Sequence, residues 1–164
     1  MRLFVAVWPP PDVIAALEAL PRPPQPGLRW TTPDQWHVTL RFLGEVADPQ
    51  PIADTLGRTD LPAAQAVLGP EVVRVGAAVA ALPVSGLDRL AAVVIAATAA
   101  FGAPPPRRRF RGHLTVARAR RGRPDTGALT LAATWPVEAV DVVRSHLAPT
   151  GARYESVAIV PVPT

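Results

Sequence analysis

The chain of 164 residues has no cysteine, no lysine, one methionine and one tyrosine. The missing cysteine excludes disulfides and thiolate metal sites, and permits a reducing compartment. The missing lysine makes all 17 basic residues arginine. Genomic base composition accounts for that choice but not for where the arginines fall. Arg107, Arg108, Arg109, Arg111, Arg118, Arg120, Arg121 and Arg123 share one interval that contains no acid. The planar guanidinium fork binds phosphate bidentately, as an ammonium cannot. Long apolar runs are also absent. The longest, LAAVVIAATAAFG (90–102), is too short to span a bilayer. The opening MRLFVAVWPPPD is too short for the core of a secretory signal. A soluble cytoplasmic protein with no membrane partner is expected. No Asp/Glu cluster with ligand spacing occurs, so no metal and no cofactor are assigned. Hydrophobic residues make up 49% of the chain and charged residues 18%, with net charge +4. That length and composition suit one domain, or two small lobes sharing a core, and a monomer.

The 21 prolines mark the element boundaries. RLFVAV (2–7) reads as a strand. Pro9 to Pro11 end it and start a helix over 11–20, with Asp12 in the first turn. LRWTT (28–32) and QWHVTLRFL (35–43) read as strands, the second ended by Gly44. A short helix follows at 48–58, with Asp48 as cap and Pro49 at its first position. QAVLGPEVVRVG and AAVAALPV read as strands. SGLDRLAAVVIAATAAFG (85–102) reads as a helix with a Ser85/Asp88 capping box and a Gly102 stop. Further strands are expected at 113–118, 128–135, 137–147 and 153–162. The whole is an α+β pattern of mostly antiparallel strands in a single two-lobed domain, 1–164, without a regular βαβ repeat.

Two of the three histidines occupy one frame: His37-Val-Thr39-Leu and His113-Leu-Thr115-Val, 76 residues apart. In a strand, residues i and i+2 share a face. His and Thr therefore point one way, and the apolar pair points into the core. A single His-x-Thr is usually an ordinary cross-strand polar pair. Ser and Thr total 15 residues, so two of three histidines meeting one at +2 by chance is on the order of one in forty. His146 has no such partner and reads as a surface or structural residue. If the two strands converge, two imidazoles and two hydroxyls meet in one cleft. Histidine titrates near neutrality, so one ring can take a proton from water while the other protonates a leaving oxygen. Hydroxyls and a guanidinium would steady the charge growing on the phosphate oxygens. Such a scheme needs no metal ion.

HVTLRFLGEV and FRGHLTVAR resemble the two signature segments of the two-histidine (2H) phosphoesterase superfamily. More narrowly, the chain resembles the bacterial and archaeal RNA 2′,3′-cyclic phosphodiesterases, also called 2′-5′ RNA ligases. The likeness extends through RLFVAVWPP, LPVSGLDRLAAVV and SHLAPTGARYESVAIVPV, nearly the whole chain. The resemblance implies two mostly antiparallel sheets related by a pseudo-two-fold axis about a central cleft, with helices outside. It implies hydrolysis of RNA 2′,3′-cyclic phosphate ends to 2′-phosphomonoesters. His37 and His113 match the catalytic pair, Thr39 and Thr115 the phosphate-contacting hydroxyls, and Arg118 an arginine near the phosphate. Gly112 departs from the pattern, which often has proline there.

Strict alternation turns Arg118 away from His113, unless the strand bulges or ends before it. It leaves Arg41 on the His37 face, as a second phosphate candidate. Trp30, Trp36 and Phe42 are candidates for stacking a base, against an ordinary core role. The run Arg107–Arg111 could guide an RNA backbone. Tyr154 and Ser145 read as structural. Which histidine is acid stays open, with a preference for His37 at the leaving 3′ oxygen and His113 as base. The alternatives are a phosphodiesterase of small cyclic nucleotides and a non-catalytic module that binds RNA ends.

Overall fold

A computed structural model of the chain describes all residues from Met1 to Thr164. Ten strands and three helices alternate irregularly: β1 (Arg2–Val7), α1 (Pro11–Glu18), β2 (Leu28–Trp30), β3 (Val38–Glu45), α2 (Gln50–Arg58), β4 (Gln65–Leu68), β5 (Val73–Val75), β6 (Val79–Ser85), α3 (Asp88–Ala97), β7 (His113–Ala119), β8 (Ala133–Pro136), β9 (Ala139–Ala148) and β10 (Gly151–Pro161). Every strand pairing is antiparallel. The order is β10-β9-β1-β3-β7-β6-β4-β8, with β2 beside β7 and β5 beside β6. The strands therefore form one continuous ladder where two separate sheets were expected. The join between β3 and β7 is a single residue pair, Val38 opposite Leu114. Each side of that joint carries one histidine frame. The chain's last two strands return to the side that holds β1 and β3.

β1 lies mid-sheet and is buried on both faces, which explains its near-continuous apolar run. Leu3, Val5 and Val7 enter the main core, together with Val13 and Leu17 of α1, Ile52 and Leu56 of α2 and Leu90, Ala91 and Val94 of α3. Each fully buried leucine of this set contributes about 2 kcal/mol. Phe4 and Ala6 point the other way and form a small apolar cluster with Val143, against which Trp8 and Tyr154 pack. No helix is long and apolar enough to cross a membrane.

Several expected boundaries move, each for a local reason. A 3₁₀ turn occupies Pro33–Gln35, so β3 begins at Val38 and His37 stands just before it. Asp48 does accept the Gln50 backbone N–H at 2.9 Å. The helix expected over 85–102 spans only Asp88–Ala97. Ser85 does not cap it: Ser85 ends β6, paired with Val67, and Leu87 holds the N-cap position. Gly102, at φ 60°, lies where a Cβ would come 2.0 Å from the Leu43 carbonyl. Its role is close approach to β3, beyond the helix end. The strand expected over 128–135 is reduced to Ala133–Pro136. Upstream of it, the Leu131 N–H goes to the Pro70 carbonyl at 2.8 Å, and that stretch makes only an isolated bridge, Thr130 with Glu71.

Candidate active site

The two frames meet where the sheet halves join. Val38 opposite Leu114 pairs like positions of the two frames. Continuing the antiparallel register by one residue sets His37 across from Thr115 and Thr39 across from His113. Both apolar residues of the pair are fully buried. All four polar side chains line one cavity of about 430 Å³, with Arg2, Phe4, Arg29, Phe42, Arg118, Ser145 and Tyr154 among its walls. No Asp or Glu lines it.

Each imidazole is oriented in the same way. His37 Nδ1 donates to the Gln35 carbonyl at 2.7 Å, and His113 Nδ1 donates to the Arg111 carbonyl at 2.8 Å. A carbonyl can only accept, so these bonds put the proton on Nδ1 and leave Nε2 for the cavity. His37 Nε2 lies 3.1 Å from the Thr39 hydroxyl. The surroundings of His37 are apolar: ring centroids of Phe4, Tyr154 and Trp8 lie at 5.0, 5.0 and 5.4 Å. Burial therefore lowers its pKa from 6.5 to about 4, the nearby positive charges of Arg118 and His113 adding to the effect against the Gln35 carbonyl. Near neutral pH the His37 ring is therefore uncharged.

The parity of Arg118 and Arg41 is decided by one device used twice. Along β7, Ala81 of β6 faces Thr115 and Ala80 faces Ala117, so Val116 is an extra, bulged residue. The bulge reverses the alternation and returns Arg118 to the His113 face. Along β3, Ala6 faces Thr39 and Val5 faces Arg41, so Leu40 is bulged in the same way. That bulge turns Arg41 off the His37 face. Arg41 is 2% exposed and donates to the carbonyls of Phe42, Pro104, Phe101 and Ala103. It is absent from the cavity wall. The expectation that Arg41 meets phosphate is corrected accordingly: it ties the loop after α3 to β3. The same reversal brings Phe42 to the cavity, 45% exposed, with the Arg2 guanidinium 5.1 Å from its ring centre. Phe42 and Arg118 thus hold matching positions, five residues after their histidines.

The other stacking candidates are packing residues. Trp36 is 1% exposed and donates to Thr31 at 3.0 Å; Trp30 donates to the Pro23 carbonyl. His146 bonds Glu155 at 2.9 Å, away from the cavity. Tyr154 and Ser145, expected to be structural, stand on the cavity wall, as do Arg2 and Arg29. Sequence reading misses them because β1, β2, β9 and β10 become neighbours of the frames only through long-range pairing. No group of three or more His, Asp or Glu side chains is placed to hold an ion.

A family model described as LigT like Phosphoesterase matches residues 7–62. An RNA 2′,3′-cyclic phosphodiesterase from Thermus thermophilus is 31% identical, over 94% of this chain and 86% of the relative. The chain belongs to the LigT-like phosphoesterase family. A solved Thermus thermophilus structure superposes with a TM-score of 0.76 at 28% identity, over 99% of this chain and 98% of that one. Escherichia coli LigT, solved in complex with 3′-AMP, has the same fold: its TM-score is 0.79 at 21% identity, over 99% and 98% of the two chains. In this LigT-like phosphoesterase two imidazoles, two threonine hydroxyls and Arg118 line a cavity free of carboxylates.

Proposed function

We propose that the protein hydrolyses RNA 2′,3′-cyclic phosphate ends to 2′-phosphomonoesters, without a metal ion, using His37 and His113 as a proton-transfer pair. The observation that carries this reading is the convergence of both rings, each held at Nδ1 by a backbone carbonyl, on one acid-free cavity. Water attacks phosphorus and gives its proton to the neutral ring. The bond from phosphorus to the 3′ oxygen breaks, and the charged ring delivers a proton to that oxygen. Thr39, Thr115 and Arg118 hold the non-bridging oxygens as charge builds. For His37 to be the donor, the phosphate's own negative charge must first raise its pKa from about 4. Phe42 presents an open aromatic face to the terminal base. The exposed Arg107–Arg111 loop draws the RNA backbone toward His113. Nucleotide recognition is supported by the 3′-AMP complex of the Escherichia coli relative. The whole chain acts as one two-lobed unit about a pseudo-two-fold axis, as supported by the matched bulges on either side of the Val38–Leu114 pair.

The test is incubation in EDTA with an oligonucleotide ending in a 2′,3′-cyclic phosphate, resolving 2′- from 3′-phosphate products. The wild type yields the 2′-phosphate, and His37→Ala and His113→Ala each lose at least about 100-fold in kcat. Turnover only of a mononucleotide cyclic phosphate would point to a small cyclic substrate. Tight binding without turnover would point to an RNA-end-binding module.

A further inference from the structure

Arg29 stands directly opposite Arg118 on the neighbouring strand, β2 against β7, and both line the cavity. Like charges facing each other across an antiparallel pair repel. No carboxylate lines the cavity beside them. The two ionic contacts present are Met1 with Glu45 and His146 with Glu155, so none of the 17 arginines has a carboxylate partner. The exposed Arg29 side chain also reaches a neighbouring hairpin. Its guanidinium packs on Gly151 at the tip of the β9–β10 hairpin, where a Cβ would lie 2.0 Å from Nη2. Gln35 fixes that tip by donating to the Ala152 carbonyl at 2.8 Å. Gln35 also holds the His37 ring through its own carbonyl, so the hairpin tip and the His37 ring share one anchor.

We propose that Arg29, with Arg118, forms a second phosphate subsite, which takes the 5′-phosphate of the terminal nucleotide and so selects RNA chains over isolated cyclic nucleosides. Arg118 is near enough to His37 for its charge to be felt there. Arg29 lies beside it on the adjacent strand, about 5 Å away. An anion between the two guanidiniums relieves their repulsion, and Arg118 then bridges it to the reacting phosphate that it holds together with His37, His113 and the threonines. Arg2 is less suited to the task, because its guanidinium is stacked on Phe42. This inference rests on the functional reading above but is read by binding as well as by turnover.

The experiment compares Arg29→Gln with wild type on two ligands, adenosine 2′-monophosphate and adenosine 2′,5′-bisphosphate, by calorimetry. It then compares turnover of adenosine 2′,3′-cyclic phosphate with and without a 5′-phosphate. Arg29→Gln is expected to weaken the 5′-phosphorylated member of each pair by roughly 10- to 100-fold more than its partner, mainly in Kd and KM. Arg29→Lys keeps the charge and loses the fork, and should fall between the two. Equal losses on both members of a pair would overturn the proposal by placing Arg29 at the reacting phosphate. No loss on either would overturn it by leaving Arg29 a solvated side chain. If wild-type turnover failed altogether, the proposed activity would fall, and the calorimetric pair would still decide the subsite.

Discussion

A buried neutral histidine has consequences that can be measured. His37 is held at a pKa of about 4 by burial among Phe4, Trp8 and Tyr154, with Arg118 and His113 adding to it. The unfolded chain binds its proton near pH 6.5, the folded protein only near pH 4. Between those values the unfolded state holds more protons, so stability falls as pH falls from 6.5 toward 4. The full difference corresponds to about 3 kcal/mol. Denaturant titrations between pH 7 and 4 should show wild type losing stability that His37→Asn does not lose. Parallel curves for the two proteins would mean that the ring is not held neutral. On the proposed mechanism kcat/KM reports the free enzyme, and its acid-side limb should lie near pH 4. At this scale the two frames were fully legible, because both His and Thr pairs follow from spacing alone. Arg41 was not, since one extra residue in β3 reverses its direction.

At the scale of elements, the bulges at Leu40 and Val116 explain what alternation cannot. A period of two predicts faces only while pairing is one to one. Nothing in the letters following either threonine announces the extra residue. The need for one was nevertheless visible in the sequence, as a conflict between the parity of Arg118 and its expected role. Gly112 is a second case. Where the family pattern often has proline, the structure shows a closely packed glycine. A Cβ there would lie 2.2 Å from the Val84 carbonyl, and the Gly112 carbonyl accepts from Val84 N–H at 2.9 Å. Gly112→Ala should therefore cost about 1–3 kcal/mol in stability. It should also lower kcat, because Arg111, whose carbonyl holds His113 Nδ1, is the preceding residue. Thermal melts and single-turnover rates check both effects. An unchanged melt would show that β6 yields easily at Val84. The shortened α3 has a comparable origin: Ser85 looked like a cap but is used by the ladder.

For the molecule as a whole, the sequence conveyed class and the pairing of motifs, while the closing topology came from contacts distant along the chain. β9 and β10 return beside β1, carrying Ser145 and Tyr154 to a cavity whose histidines lie far away in sequence. The ladder's two sides meet through Val38 and Leu114 alone, and each side supplies one imidazole. The central claim is that a single phosphate bridges that joint. The most direct measurement is nitrogen NMR of the protein labelled at histidine, titrated with adenosine 2′-monophosphate and assigned with the single-histidine variants. The account predicts that the Nε2 signals of His37 and His113 move together along one binding curve, while His146 stays in place. Movement of only one of the pair, or separate curves for the two, would contradict it.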